Sequence, residues 1–451
     1  MRHIINAERK QKSNRKNGII WLRKGGKIMK WKKIVAVMLS AAMVTGLAAC
    51  GSSGGESGSD GSTGKIQISF LNGFTGGDGD FMKRITDGFN SSQDKYEIVE
   101  SQEKDHLTQF KANGADLLIM GDTDLYTYAV DGMIQDLSGI YEKAGLAEED
   151  FVEPAIEAAT IDGALYGVPL DIHPLTMFYN KELVSEEEVP ETYEDLVALN
   201  DKLQAQDPSL YVMGIPGSGI SEQYWMALAA QYGIELESDG YCDFSQDKLA
   251  DVFMKWHDMV FVDHLSPANL GLDSEFTSFA KTADDITTQA AVALTGVWFY
   301  STAADVYGEN LGIAPLPTIG EEVGTYGSSH NFVVSSEVTD EEKIDGIVEF
   351  LKYAYTPENL LNWADSGQTP VYKPTMDLIR ENPDQYPVPA VNVDTVETCV
   401  FSPQVYNGIA QTNYVTENIW GKVTTEEDLT HDELMGLLEQ ATENAKQLAG
   451  E

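Results

Sequence analysis

The chain has 451 residues, 42% of them apolar and 10% aromatic, enough for two or more ordinary cores; a disordered chain or a small stapled scaffold is excluded. Its 30 basic residues face 72 acidic ones, a net charge of −42, and phosphate binding needs a basic surface, so nucleic acid is excluded as the main partner. The balance is uneven, because 12 basic residues and one acid, Glu8, precede Cys50, leaving 402 residues at −53.

The first element in chain order is a targeting segment. Ile34 to Leu47 is apolar or small apart from Ser40 and Thr45, follows Lys30, Lys32 and Lys33, and ends in Leu47-Ala48-Ala49-Cys50. It falls short of the roughly 20 residues that span a bilayer. A basic flank, a short apolar core and small residues before a cut make residues 1–49 a secretory signal peptide, with Met29 the expected start. Leu-Ala-Ala-Cys resembles the bacterial lipobox, which implies that Cys50 is lipidated and anchors the chain to a membrane, outside the cytoplasm. Residues 50–64 are almost wholly Gly and Ser and form a flexible tether reaching roughly 20 Å.

The body alternates strands and helices. Lys65 to Phe70 reads as a strand, Asn72 to Asp80 as a Gly-rich loop, and Phe81 to Asn90 as a helix with Phe81, Ile85 and Phe89 inward and Asp80 as its cap. Leu117 to Met120 reads as a buried parallel strand, and Leu165 to Leu170 and Thr176 to Tyr179 as further strands. Helices start at the capping box Thr192 to Asp195, at Ser221, after Ser245, at Thr339 and at Thr430. The last places Leu434, Leu437, Leu438, Ala441 and Leu448 on one stripe. This order predicts an α/β fold in two lobes, with ligands held in loops beyond the carboxyl ends of strands. Cys242 and Cys399 are either a disulfide or two buried thiols.

Hydrolase, zinc-protease and phosphate-loop motifs are absent, and with this many acids a carboxylate pair by itself argues for no glycosidase. The loops carry flat aromatics beside hydrogen-bonding polar groups, as a sugar site needs: Phe74 with Asp78, then Asp122, Asp171 with His173, Trp298 with Tyr300, and His330 with Asn331. Asp171 could equally cap a crossover between lobes, His173 could hold a hinge, and Trp225 stands between core and cleft. Trp256 and Trp363 fall on helical stripes and read as core.

One segment is more specific. Asp162-Gly-Ala-Leu-Tyr-Gly-Val-Pro-Leu-Asp-Ile-His-Pro-Leu-Thr-Met-Phe-Tyr-Asn-Lys181 closely resembles the "DGKxYGVPLDxHPxxxxYNK" stretch of the family 1 extracellular solute-binding proteins, the sugar-capturing subunits of ABC importers. Phe70 to Gly79, Asp116 to Met120, Ala293 to Trp298, Ala314 to Pro317 and Gly367 to Val371 follow that family's pattern in order, the last adding Gln368 to the candidate site. Thr288-Gln289 departs from the usual Gly-Lys. The resemblance implies the two-lobed type II periplasmic-binding fold, mixed sheets flanked by helices around a hinged cleft. It places lobe 1 at 65–172 with 329–372 and lobe 2 at 173–328 with 373–451, with crossings near Asp171 to His173, Tyr326 to His330 and Tyr372 to Met376. It also implies a monomeric, non-enzymatic receptor for a carbohydrate, without cofactor or metal, whose partner is an ABC importer permease. The rivals are a secreted glycoside hydrolase and a receptor for polyamines or peptides.

Overall fold

The computed structural model describes residues 64–281 and 287–450. The expected targeting segment and Cys50 lie outside the described residues. Among those described, no helix is long and apolar enough to cross a membrane.

The first lobe is built on a five-stranded sheet in the order Tyr96–Gln102, Ile66–Asn72, Leu117–Gly121, His330–Val334, Val168–Pro169. The first three strands run parallel and His330–Val334 is antiparallel to both its neighbours. Side chains alternate across a strand, so Phe70, Leu117, Ile119 and Phe332 enter one core while Leu71, Leu118, Met120 and Val333 enter another on the opposite face. Both faces are covered, which is why Leu117 to Met120 is apolar without interruption. The run expected as one strand from Leu165 to Leu170 is split into Ala164–Leu165 and Val168–Pro169. Gly167 sits where a Cβ would lie 2.8 Å from Asn331, and Pro169 brings no N–H to a ladder. The first helix, Gly79–Ser92, takes Asp78 rather than Asp80 as its N-cap residue and buries Met82, Ile85 and Phe89, leaving Phe81 at its edge.

The second lobe is centred on the antiparallel order Val292–Thr295, Thr176–Asn180, Leu311–Ala314. Met177, Tyr179, Val292 and Leu294 face the large core, and Phe178 and Ala293 a smaller one. Helices Ser221–Gln231, Asp247–Phe261 and His431–Ala449 close the large core, the last starting at the Thr430 capping box. Cys242 and Cys399 are both free and buried, one in each lobe's core.

The chain passes between lobes first at Asp171 to Pro174, between Leu170 in one core and Leu175 in the other, and returns between Tyr326 and Phe332. The third passage falls between Cys399 and Val405, not near Tyr372 to Met376. Met376, Ile379, Tyr386, Val393 and Val396 pack into the first lobe's core, so 373–399 belongs there rather than with the second lobe. The first passage is tied to the first lobe by the pairing of Asp171–Ile172 with Thr369–Pro370, and the passages run side by side: Thr325–Tyr326 pairs with Cys399–Val400, and His173 N–H donates to Ser328 O at 2.9 Å. The helix Pro387–Thr395 spans the joint, with Val393 in the first core, Val388 in the smaller core of the second, and Asn392 and Thr176 exchanging hydrogen bonds at 3.0 and 3.2 Å.

Candidate functional site

Four separate stretches meet where the lobes join. The loop after Ile66–Asn72 supplies Phe74 and Asp78, the first passage Asp171 and His173, the return passage His330, and the turn after Val292–Thr295 supplies Trp298. At the centre is Asp171, fully buried on its two-residue strand. Its Oδ1 accepts from the His330 main-chain N–H at 3.0 Å and from His173 Nδ1 at 3.3 Å. Its Oδ2 accepts from the Trp363 indole N–H at 2.6 Å and from His330 Nδ1 at 3.0 Å. Every acceptor direction of the carboxylate is taken, so Asp171 is a scaffold that orients the two imidazoles. Where the sequence expects a ligand contact, Asp171 thus lies buried behind the two imidazoles.

The charges follow from that geometry. Burial would raise the Asp171 carboxyl pKa, but the His330 and His173 rings outweigh burial and hold it well below the usual carboxylate range. For His173 burial wins over the bond to Asp171 and the pKa falls. For His330 burial is outweighed by Asp171, with help from Asp78 and Asp122, and the pKa rises. The two directions put an extra proton on His330 in preference to His173. The rings stack at 4.6 Å between centroids, and His173 meets the Trp298 indole edge-on at 6.3 Å.

Trp298 is 42% exposed, the one tryptophan among the exposed large apolar residues described. Its indole folds over Gly296, where a Cβ would fall 2.2 to 2.3 Å from three ring atoms, so glycine is what lets the indole lie flat at this spot. Asp78 faces His330 from the start of its helix; burial raises its carboxyl pKa and the His330 charge partly restores it.

The other expected contacts are placed elsewhere. Phe74 is buried, its ring 4.7 Å from Trp363 and 4.9 Å from His330, so it backs the pair instead of presenting a face. Asp122, which begins the helix Asp122–Val130, spends Oδ1 on the Ser329 N–H and the Ser328 hydroxyl at 2.8 and 3.0 Å and so ties the first lobe to the return passage. Burial pushes its carboxyl up to about 6, and Oδ2 has no partner among the described residues. Trp225 is fully buried in the second core against Phe253 and Phe244, its indole N–H on Thr416. Gln368 is buried with Oε1 unpaired among the described residues, beside Gly367, where a Cβ would lie 3.7 Å from Tyr300. Asn331, named beside His330, is buried and donates to Ser329 Oγ.

Trp363 was read as core, and its ring is core, but its N–H anchors Asp171. A helical stripe carries no signal of where an indole N–H will point. Asp171, His173 and His330 also form the one set of three metal-type donor atoms within 4.8 Å of one another among the described residues. Here the ring nitrogens act as donors to the carboxylate, so shared protons satisfy the set without an ion.

Comparison with known proteins places this geometry. The family profile described as "Bacterial extracellular solute-binding protein" matches residues 87–382. The maltodextrin-binding protein MdxE of Bacillus subtilis is 24% identical over 361 residues, covering 75% of this chain and 80% of its own length. The sugar-binding protein MalE of Xanthomonas citri superposes with a TM-score of 0.70 at 16% identity, covering 85% of this chain and 98% of its own. UgpB of Mycobacterium tuberculosis, solved with glycerophosphocholine, does so with 0.69 at 13%, over the same shares of the two chains. The fold they share is the two-lobed type II periplasmic-binding fold.

Proposed function

Because the chain belongs to the bacterial extracellular solute-binding protein family, we propose that it is a lipid-anchored receptor that closes on a neutral sugar or short oligosaccharide and presents it to an ABC importer. The observation that carries this reading is the exposed Trp298 indole beside the His173 and His330 rings. A sugar has a CH face that stacks on an aromatic plate and a rim of hydroxyls that needs donors and acceptors. The groups acting on His330 are Asp171, Asp78 and Asp122, so the surroundings disfavour an anionic ligand. The maltodextrin-binding relative supports the sugar class, whereas the glycerophosphocholine complex shows that the fold alone does not choose it.

A ligand shifts the hinge only by binding one arrangement better than another. Trp298 belongs to the second lobe, Asp78 to the first and the histidines to the passages, so a ligand touching all of them would draw the lobes together. No chemistry on the ligand is needed for that role. Lipidation of Cys50 would keep the receptor near the membrane, and its tether would let the body reach a permease.

Calorimetry with maltodextrins, galacto-oligosaccharides, chito-oligosaccharides, glycerophosphocholine and spermidine tests the assignment. Saturable binding of one of the neutral oligosaccharides, lost in Trp298→Ala, supports it. Binding of spermidine or glycerophosphocholine alone overturns the sugar class, and new reducing ends on prolonged incubation overturn the receptor reading. Membrane fractionation of the native chain against Cys50→Ser tests the anchor: release of the variant supports it, and equal retention refutes it.

A further inference from the structure

Each imidazole spends Nδ1 on Asp171, and neither Nε2 has a partner among the described residues. The His173 and His330 side chains keep 10% and 24% of their surface, and neither Nε2 is among the buried polar atoms left unpaired, so both reach open space. A neutral imidazole with its proton on Nδ1 offers Nε2 as an acceptor, and an imidazolium offers it as a donor. One carboxylate is shared by the Nδ1 edges of two stacked rings whose centres are 4.6 Å apart. A second imidazolium there would face its twin with no second counter-charge.

We propose that the pair reads adjacent hydroxyls of the ligand with opposite polarity: His330 Nε2–H donates to one hydroxyl and His173 Nε2 accepts from its neighbour. The roles are set by Asp171, because the His330 ring nitrogen meets both carboxylate oxygens, at 3.1 and 3.0 Å, whereas the His173 ring nitrogen meets one, at 3.3 Å. The assignment rests on the sugar reading for its ligand and on the histidine geometry for its polarity. It makes the two histidines specificity-determining residues for a vicinal diol: the hydroxyl at His173 must give a hydrogen bond, which neither a methoxy nor a deoxy carbon can, and the group at His330 must take one, which a deoxy carbon cannot.

The groups facing the pair are Asp171 between the rings, Asp78 at the head of Gly79–Ser92, Asp122 at the head of Asp122–Val130, and His106 on the helix His106–Asn113. Three of these are acids, which keep the extra proton on His330. Deprotonating His330 removes the donor as pH rises, and protonating His173 removes the acceptor as pH falls. Affinity therefore peaks between the two transitions and falls by about tenfold on each limb, the worth of one hydrogen bond of about 1.4 kcal/mol.

The first test needs no ligand: nitrogen NMR of the full mature chain labelled at histidine, at pH 7. The expected spectrum has one ring protonated at both nitrogens and one neutral ring with Nε2 bare, assigned by His173→Gln and His330→Gln. Two neutral rings, two imidazoliums, or the roles exchanged between the residues would overturn the proposal, and the wild-type spectrum decides the first two even where a variant fails to fold. The second test titrates the bound oligosaccharide and its O-methyl and deoxy analogues across pH 5 to 9. A flat affinity profile with the expected NMR pattern would refute the diol contact, and failure of every sugar to bind would sink the sugar reading while leaving the histidine states as the NMR shows them.

Discussion

Replacing Asp171 by Asn keeps the shape and removes the charge, so it isolates what the buried carboxylate contributes. An amide must turn its NH2 toward either the Trp363 and His330 ring donors or the His330 main-chain and His173 donors, and both sides already hold N–H groups. Hydrogen bonds to a charged group contribute about 1.5–3 kcal/mol each, and breaking a buried pair costs about 3–5 kcal/mol. The variant escapes the cost of burying a charge, so the net loss is about 3 kcal/mol. At about 2–4 °C per kcal/mol for lobes of this size, Tm falls by roughly 6–12 °C. The pH dependence is sharper than the size. His330 has a folded pKa above its unfolded value near 6.5, so its stabilising share is complete below about pH 6.5 and is lost as pH rises through the folded value. Asp171 has a depressed folded pKa, so its share is present above about pH 3.9 and is lost only on acidification through the folded value. Thermal denaturation of both proteins from pH 5 to 9 should show the Tm gap widest near pH 5 to 6.5 and narrowing above. Acids with no interaction with His330 are common to both chains and cancel in the difference, whereas Asp78 and Asp122 follow the His330 charge. A gap that is absent, or that grows with pH, would refute the pairing of His330 with Asp171.

Trp298→Ala should weaken ligand binding by tenfold or more while moving stability by less than about 0.5 kcal/mol, because the indole is exposed. Gly296→Ala should copy that loss with the indole intact: the ring must shift by more than about 1 Å to reach ordinary carbon contact near 3.5 Å, and equal affinity in calorimetry would show that its pose is not set there. Trp225→Ala should cost about 3–5 kcal/mol in denaturant unfolding, with unchanged affinity in the folded fraction. Cys242 and Cys399 should be unreactive toward a thiol reagent in the native protein and both react on unfolding, since burial pushes the Cys242 thiol up to about 12 and raises Cys399 also.

Much of the frame was legible because it follows from periodicity and caps. The unbroken apolar run at Leu117, the Thr192 and Thr430 capping boxes and the final helix all appear where the pattern puts them. The site was legible by location and less so by role. His173, His330 and Trp298 meet, yet Phe74 and Asp171 are buried. Phe74 sits in a Gly-rich loop that alone offers no core, and the rings that cover it, His330 and Trp363, come from the far end of the chain. Asp171 has its donors supplied at sequence distances of 2, 159 and 192 residues, a saturation that no local pattern announces. The third passage was misplaced for a similar reason. Tyr372 to Met376 ends the recognisable motif, but the first lobe's core goes on taking side chains as far as Cys399.

The helix Pro387–Thr395 constrains how the cleft can open. It is gripped by the second lobe at Val388 and by the first at Val393, and Asn392 is bonded to Thr176, the first residue of the second lobe's central strand. The two grips are five residues apart, about 7.5 Å of helix rise. Opening that keeps both grips must therefore swing about an axis close to Thr176 and Asn392, because pulling the lobes straight apart would break one of them. Distance probes set across the cleft mouth would report large changes on ligand release while a pair beside this pin would stay almost still. The receptor would then work as a door on a fixed post, and substitutions at the post would alter how far it swings without touching the ligand.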